Sequence, residues 1–178
     1  MNIKNKKIIL IGLILVSLIS LVYIFAQIKK PATSIKTPAP SITIIIPGKT
    51  TENDVLKTFG TPIASSAGIL QYPSNSQTRN NEVVVDNGLV DFVKEIVAYN
   101  DPITLTDLKN KYGDSPVLYG PDSINGYYLF YHLDKGVAYI ANPISDNVIE
   151  IWYFTPTTLQ IFKNTLAKGY TEKVPTAY

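Results

Sequence analysis

The sequence predicts an α+β domain attached to a membrane-spanning helix, and three observations carry this prediction. The pattern Thr-x-x-Asp-apolar-x-x-x-aromatic-Gly occurs at residues 51–60 and again at residues 104–113, displaced by 53 positions. The pair Asn87-Gly88 separates two β-prone segments, as in tight hairpins. An uncharged run of 21 residues extends over residues 8–28. Together they predict an N-terminal transmembrane helix, two helix-plus-antiparallel-hairpin repeats that form one sheet-and-helix domain, and a C-terminal helix.

The uncharged run has the length of a membrane-spanning helix, about 30 Å at 1.5 Å per residue. Three lysines precede it and two follow it, and this bias predicts a cytoplasmic N-terminus. A cleaved signal peptide is the alternative, but its apolar region is usually shorter, about 7–15 residues, and ends in a small-x-small site. The best such site, Ile24-Phe25-Ala26, has a large residue in it. We therefore expect a single-pass membrane protein, anchored by residues 8–28, with an extracytoplasmic C-terminal domain.

The repeats define the remaining boundaries. Residues 1–7 form the cytoplasmic N-terminus, and residues 29–41, with three prolines, are typical of a semi-extended linker. Repeat 1 is predicted over residues 42–100 and repeat 2 over residues 101–154. The C-terminal helix and tail take residues 155–178.

Each position of the repeated pattern has a local structural role. The threonine caps the start of a helix, the aspartate three residues later completes an approximate capping box, and the glycine ends the helix. Alternating isoleucines predict a strand over residues 41–46. The last helix is expected to have Thr155 as its cap, Pro156 at its first position and Gly169 at its end. The predicted strands lie in a hairpin over residues 83–98, a second hairpin over residues 126–141 and a further strand over residues 148–154.

The first copy resembles the opening signature of the outer-membrane assembly lipoprotein (BamE/SmpA/OmlA-like) domain. The similar residues are Pro-Gly-Lys-Thr-Thr-x-x-Asp-Val-x-x-x-Phe-Gly-x-Pro at positions 47–62. Tandem copies of a helix-plus-sheet unit are similar to the β-lactamase inhibitor protein architecture, and the resemblance covers about residues 44–154. It implies a non-enzymatic domain that binds other proteins at the envelope. This chain lacks the lipid-carrying cysteine of that family.

Charge and composition disfavour several functions. From Pro31 onward the chain has eleven basic and fourteen acidic residues, a net charge of −3. A nucleic-acid-binding domain needs a basic surface, so nucleic acid is not an expected partner. The chain has no cysteine and one histidine, too few ligands for an ordinary zinc site. We expect no metal and no cofactor.

Three sequence features imitate catalytic motifs. The tripeptide Gly48-Lys49-Thr50 resembles the end of a phosphate-binding loop, but position 43 is threonine where that motif has glycine. A hydrolase would have to use His132, the only histidine, at the predicted end of a strand. Asp91 and Glu95 share a predicted strand face as two carboxylates of a glycosidase would, but a solvated strand face with Lys94 nearby is the better explanation. We expect no enzymatic activity.

Aromatic residues are concentrated in the second half of the chain and form the candidate binding surface. Exposed tyrosine and tryptophan are typical of recognition surfaces. We expect an open sheet face to present some of these rings to an envelope protein, with cell-wall glycan as the alternative ligand. Covering helices are an equally good explanation of so many rings. The candidate residues are Tyr127, Tyr128, Tyr131, Tyr139, Trp152 and Tyr153.

Overall fold

The computed structural model describes residues 41–76, 78–97 and 102–174. These residues form one antiparallel sheet of eight strands in the order β1-β2-β3-β4-β8-β7-β6-β5. The strands are β1 Ala64–Ser66, β2 Ile69–Tyr72, β3 Asn81–Asp86, β4 Leu89–Ile96, β5 Val117–Leu118, β6 Tyr128–His132, β7 Val137–Asn142 and β8 Asn147–Phe154. The helices are short: α1 Glu52–Phe59, α2 Leu105–Tyr112 and α3 Leu159–Asn164, with 3-10 turns at Ile42–Ile44 and Pro121–Asn125.

The predicted fold class is wrong. Instead of two helix-plus-hairpin repeats, the described chain forms a continuous eight-stranded antiparallel sheet with few helices. The two halves meet where β4 pairs with β8, from Phe92↔Phe154 to Ile96↔Glu150. No helix within the described ranges is long and apolar enough to cross a membrane. The predicted anchor at residues 8–28 lies outside those ranges, as does almost all of the predicted linker.

The capping devices of the repeated pattern are present in both copies. Thr51 and Asp54 form a reciprocal capping box at the start of α1, and Thr104 and Asp107 form another at the start of α2. In each box the threonine Oγ1 donates to the aspartate Oδ2 at 2.6 Å. These bonds hold the pKa of both aspartate carboxyls below the ordinary value. The repeated sequence pattern therefore corresponds to two similar helix starts and not to two separate sheets.

Several predicted elements differ in the structure. Residues 41–46 contain the 3-10 turn Ile42–Ile44 instead of a strand. The Thr43 N–H donates to the Ser41 hydroxyl and the Ile45 N–H donates to the Ile42 carbonyl. The last helix begins after Thr158, whose hydroxyl accepts from the backbone N–H of Ile161. Strands β1, β2 and β5 were not expected from the sequence, because they are only two to four residues long.

The two faces of the sheet are covered differently. On the first face, α1 packs over β2, β3 and β4 through Val55, while α2 packs over β6, β7 and β8 through Leu105 and Leu108. On the second face, α3 and the segment after it pack through Phe162 and Ala167. That cluster takes its buried strand residues from β4 to β8 alone. On β3 only Val84 packs against this cluster, and no described residue of β1 or β2 belongs to it.

Candidate functional site

The structure places the six candidate aromatic residues mainly inside the domain. Tyr131, Tyr139 and Trp152 are buried, with exposed fractions of 9%, 0% and 7%. Tyr127, Tyr128 and Tyr153 are half-buried. Tyr131 and Trp152 pack beneath α3 on the second face, whereas Tyr139 packs beneath α2 on the first face. The covering helices thus account for these rings, and they do not form one open aromatic surface.

The only histidine belongs to a buried aromatic group on the first face. His132 Nε2 lies 3.2 Å from the Tyr139 hydroxyl, and its ring lies 5.6 Å from the Tyr112 ring. Burial and the nearby charge of Lys135 lower the pKa of His132, against the opposing effect of Asp134. The neutral ring is therefore favoured in the folded protein. Aromatic packing and one hydrogen bond therefore account for the buried position of His132.

Asp91 and Glu95 do not come together. Asp91 is the extra residue of a β-bulge, because Val84 pairs with Phe92 while Val85 pairs with Val90. It is exposed beside α3 on the second face. Glu95 lies on the first face, where its carboxylate accepts a hydrogen bond of 2.8 Å from Tyr153.

The Glu95–Tyr153 pair lies between the two halves of the first face. Tyr153 packs against both the α1 cluster and the α2 cluster. Burial raises the pKa of Glu95, opposed by the Tyr153 hydrogen bond and by Lys111. Burial and the adjacent carboxylate raise the pKa of Tyr153. The arrangement ties β4 to β8 without exposing either group fully.

A second buried carboxylate was not anticipated from the sequence. Glu150 on β8 is 6% exposed, and it accepts a hydrogen bond of 2.7 Å from Trp152 Nε1. Arg79, from the loop between β2 and β3, forms an ion pair with the same carboxylate. Because an isolated buried charge is costly, these two partners explain how Glu150 is tolerated there. Only the strand register brings residues 79 and 150 together.

A partly exposed sheet surface lies on the second face of β2, β3 and the end of β4. We call it the open patch; its residues are Ile69, Gln71, Glu82, Val84 and Lys94. Strand pairing places them side by side through Ile69↔Val84, Gln71↔Glu82 and Glu82↔Lys94. Ile69 is 36% exposed, and the Lys94 ammonium lies 2.6 Å from the Glu82 carboxylate. The patch combines apolar side chains with one ion pair.

The edge beside the open patch is unusual in composition. From Thr58 to Thr78 the chain has no charged residue, and all three residues of β1 within this stretch are exposed. The opposite edge is covered, because Tyr119 and Thr171 exchange two backbone hydrogen bonds of 2.7 and 2.8 Å beyond β5. Exposed edge strands can pair with another chain. The open patch and β1 therefore form one continuous accessible surface at the end of the sheet.

The open patch contains two ionisable side chains. In the part of the chain that the structure describes, no group of three or more histidine, aspartate or glutamate side chains is placed to hold a metal ion. The ionisable groups of the open patch, Glu82 and Lys94, pair with each other. The arrangement offers apolar contacts, a polar rim and edge backbone groups.

Comparison with known proteins gives one structural similarity. No family model and no curated protein matches the chain. The structure is similar to that of a DUF4309 family protein (YjgB) from Bacillus subtilis subsp. subtilis str. 168, with 12% sequence identity and a TM-score of 0.44. The match covers 61% of this chain and 80% of that chain. The resemblance of residues 47–62 to the BamE-like signature stays a prediction.

Proposed function

We propose that this chain is a membrane-anchored, non-enzymatic protein of the cell envelope whose extracytoplasmic domain binds another protein. The observation that carries the proposal is the open patch with its adjoining edge strand. Ile69 on β2 is 36% exposed, and its cross-strand neighbour Val84 is only partly buried, where it packs against the α3 cluster. Anchoring and orientation rest on residues 8–28 and the lysines around them.

The open patch has the composition of a protein-binding surface. Protein interfaces combine an apolar centre with polar groups around it. Here Ile69 and Val84 are cross-strand neighbours, and Gln71 and the Glu82–Lys94 pair lie beside them. The small residues of β1 allow another backbone to approach its edge, which is the requirement for strand addition. A partner that pairs with β1 would also cover the apolar side chains.

The two alternatives have weaker support. Glycan binding through the aromatic residues requires exposed rings for stacking, and Tyr131, Tyr139 and Trp152 are buried. Hydrolysis through His132 requires its ring to reach a substrate, and that ring is buried against Tyr112 and Tyr139. Protein binding is therefore the function that the geometry supports best.

Site-specific photo-crosslinking in the native host tests the proposal. A photoreactive residue is placed at Ile69, and a matched one is placed at Ile144, a 92% exposed isoleucine in the turn before β8. We expect one discrete crosslinked protein from position 69 and none from position 144. Gln71→Glu in the same background adds a charge beside Ile69 and should weaken that crosslink. Equal crosslinking from both positions, or none from position 69, would refute the proposal.

A further inference from the structure

A surface depression lies on the first face, on the opposite side of the sheet from the open patch. It is a cleft of about 410 Å³ lined by residues 43, 45–49, 135–137 and 153–156. Its volume is within the range of ligand-binding clefts, about 300–1,000 Å³. Tyr153, one of the six candidate aromatic residues, lines it. We call it the lysine cleft, because Lys49 and Lys135 are its only ionisable side chains apart from the Tyr153 phenol.

The charge of the lysine cleft is opposite to that of the domain around it. Two lysines and no carboxylate line it, whereas acidic residues outnumber basic ones after Pro31. The Lys135 ammonium donates a hydrogen bond of 2.7 Å to the Tyr112 carbonyl oxygen, which fixes its position at the end of α2. Lys49 comes from the opposite half of the first face, just before α1. The two cations thus border the cleft from different segments.

The backbone of the lysine cleft is closely packed. A Cβ on Gly136 would clash with the Phe154 carbonyl oxygen, so the start of β7 lies directly against the end of β8. Phe154 N–H donates to the Gly136 carbonyl at 2.9 Å, and Gly48 N–H donates to the Val90 carbonyl at 2.7 Å. The segments that line the cleft are therefore held by the sheet, and little ordering is required when a ligand binds.

The apolar lining restricts the class of ligand. Ile46 is 54% exposed at the cleft, and Pro47, Pro156 and the half-buried Tyr153 provide further apolar surface. A simple anion would satisfy the lysines and leave this surface in water. An acidic peptide segment with an apolar side chain between its carboxylates satisfies both. Residues 1–50 contain no aspartate or glutamate, so the N-terminal part of this chain cannot provide such a segment.

We propose that the lysine cleft binds an extended acidic segment of a partner protein, with carboxylates at Lys49 and Lys135 and an apolar side chain between Ile46 and Tyr153. The proposal is independent of the open patch. It requires an accessible cleft that has two cations and an apolar surface, and the described residues provide all three features.

Fluorescence anisotropy with the full chain in a mild nonionic detergent tests the proposal. The probe is a labelled peptide with a central leucine and two glutamates on each side, and the matched probe has glutamines in their place. We expect saturable binding of the glutamate peptide alone, weakened by added salt. Lys49→Gln or Lys135→Gln should weaken binding about threefold, and the double variant about tenfold, since exposed ion pairs are individually modest.

The control removes two exposed lysines outside the cleft, as Lys109→Gln/Lys168→Gln. Equal weakening in the control, or equal binding of both peptides, would overturn the proposal. Because Lys135→Gln also removes the bond to Tyr112, Lys49→Glu is measured alongside it, and each variant's thermal midpoint is compared with wild type. If the chain dimerises and Lys49→Glu abolishes the dimer, a second copy of the chain occupies the cleft. That result would also overturn the assignment.

Discussion

Replacing Arg79 with alanine should destabilise the domain, because it leaves the Glu150 carboxylate buried with Trp152 as its remaining partner. Removing one partner of a fully buried ion pair costs about 3–5 kcal/mol. Here the Arg79 side chain is 42% exposed and the Glu150 side chain 7% exposed, so water screens one side of the pair. We therefore expect a loss of about 1–3 kcal/mol in the free energy of unfolding.

The assay is urea denaturation of the full chain, followed by fluorescence of Trp152, which is the only tryptophan. A loss of about 2 kcal/mol should lower the urea midpoint by about 1 M, for a slope of about 2 kcal/mol/M. Glu150→Gln added to Arg79→Ala removes the buried charge and should recover part of the loss. The matched control is Lys163→Ala, which breaks the exposed Lys163–Glu172 pair and should change stability by less than about 1 kcal/mol.

The reasoning would be refuted if Arg79→Ala lowered stability no more than Lys163→Ala does. It would also be refuted if Glu150→Gln worsened the Arg79→Ala variant, because an uncompensated charge would then not be the cause.

Three further predictions concern packing, caps and pH. Gly136→Ala should lower the free energy of unfolding by at least about 2 kcal/mol more than Gly88→Ala does, as measured by urea denaturation. Both glycines have positive φ, but of the two only Gly136 faces a backbone oxygen, that of Phe154. Thr104→Ala should cost about 1 kcal/mol through its lost cap, and a change below about 0.3 kcal/mol would contradict that role. Since the pKa of His132 is lowered from 6.5 on folding, its contribution to stability is present above about pH 6.5 and lost as pH falls. Thermal midpoints between pH 7.5 and 5 should therefore fall less in His132→Phe than in wild type, and equal slopes would show that His132 is not responsible.

The helix starts and tight turns follow from neighbouring residues and were predictable. The Thr51 and Thr104 capping boxes depend on contacts three residues apart, so their spacing is visible in the sequence. The turn at Asn87-Gly88 is similar, since both residues have positive φ there and few residue types tolerate that conformation. The hairpins β3–β4 and β6–β7 formed where the strand patterns indicated.

The candidate site could not be predicted in the same way. Alternation shows that Tyr131 and Tyr139 each lie on one side of a strand, but not which helix covers that side. The open patch depends on α3 covering β4 to β8 and stopping short of β2. The uncharged stretch from Thr58 to Thr78 was the available signal for this surface, and it is weak because loops and buried strands also lack charge.

The sequence by itself determined the local elements, the charge balance and the apolar segment that predicts an anchor, because each depends on residues close together in the chain. The tertiary structure alone decided that β4 pairs with β8 and joins two apparent repeats into one sheet. It also brought Arg79 to Glu150 and left the open patch partly exposed. The physical reason is that strand pairing and the positions of the covering helices depend on the apolar surface buried over the whole domain. A short stretch of sequence does not determine that total.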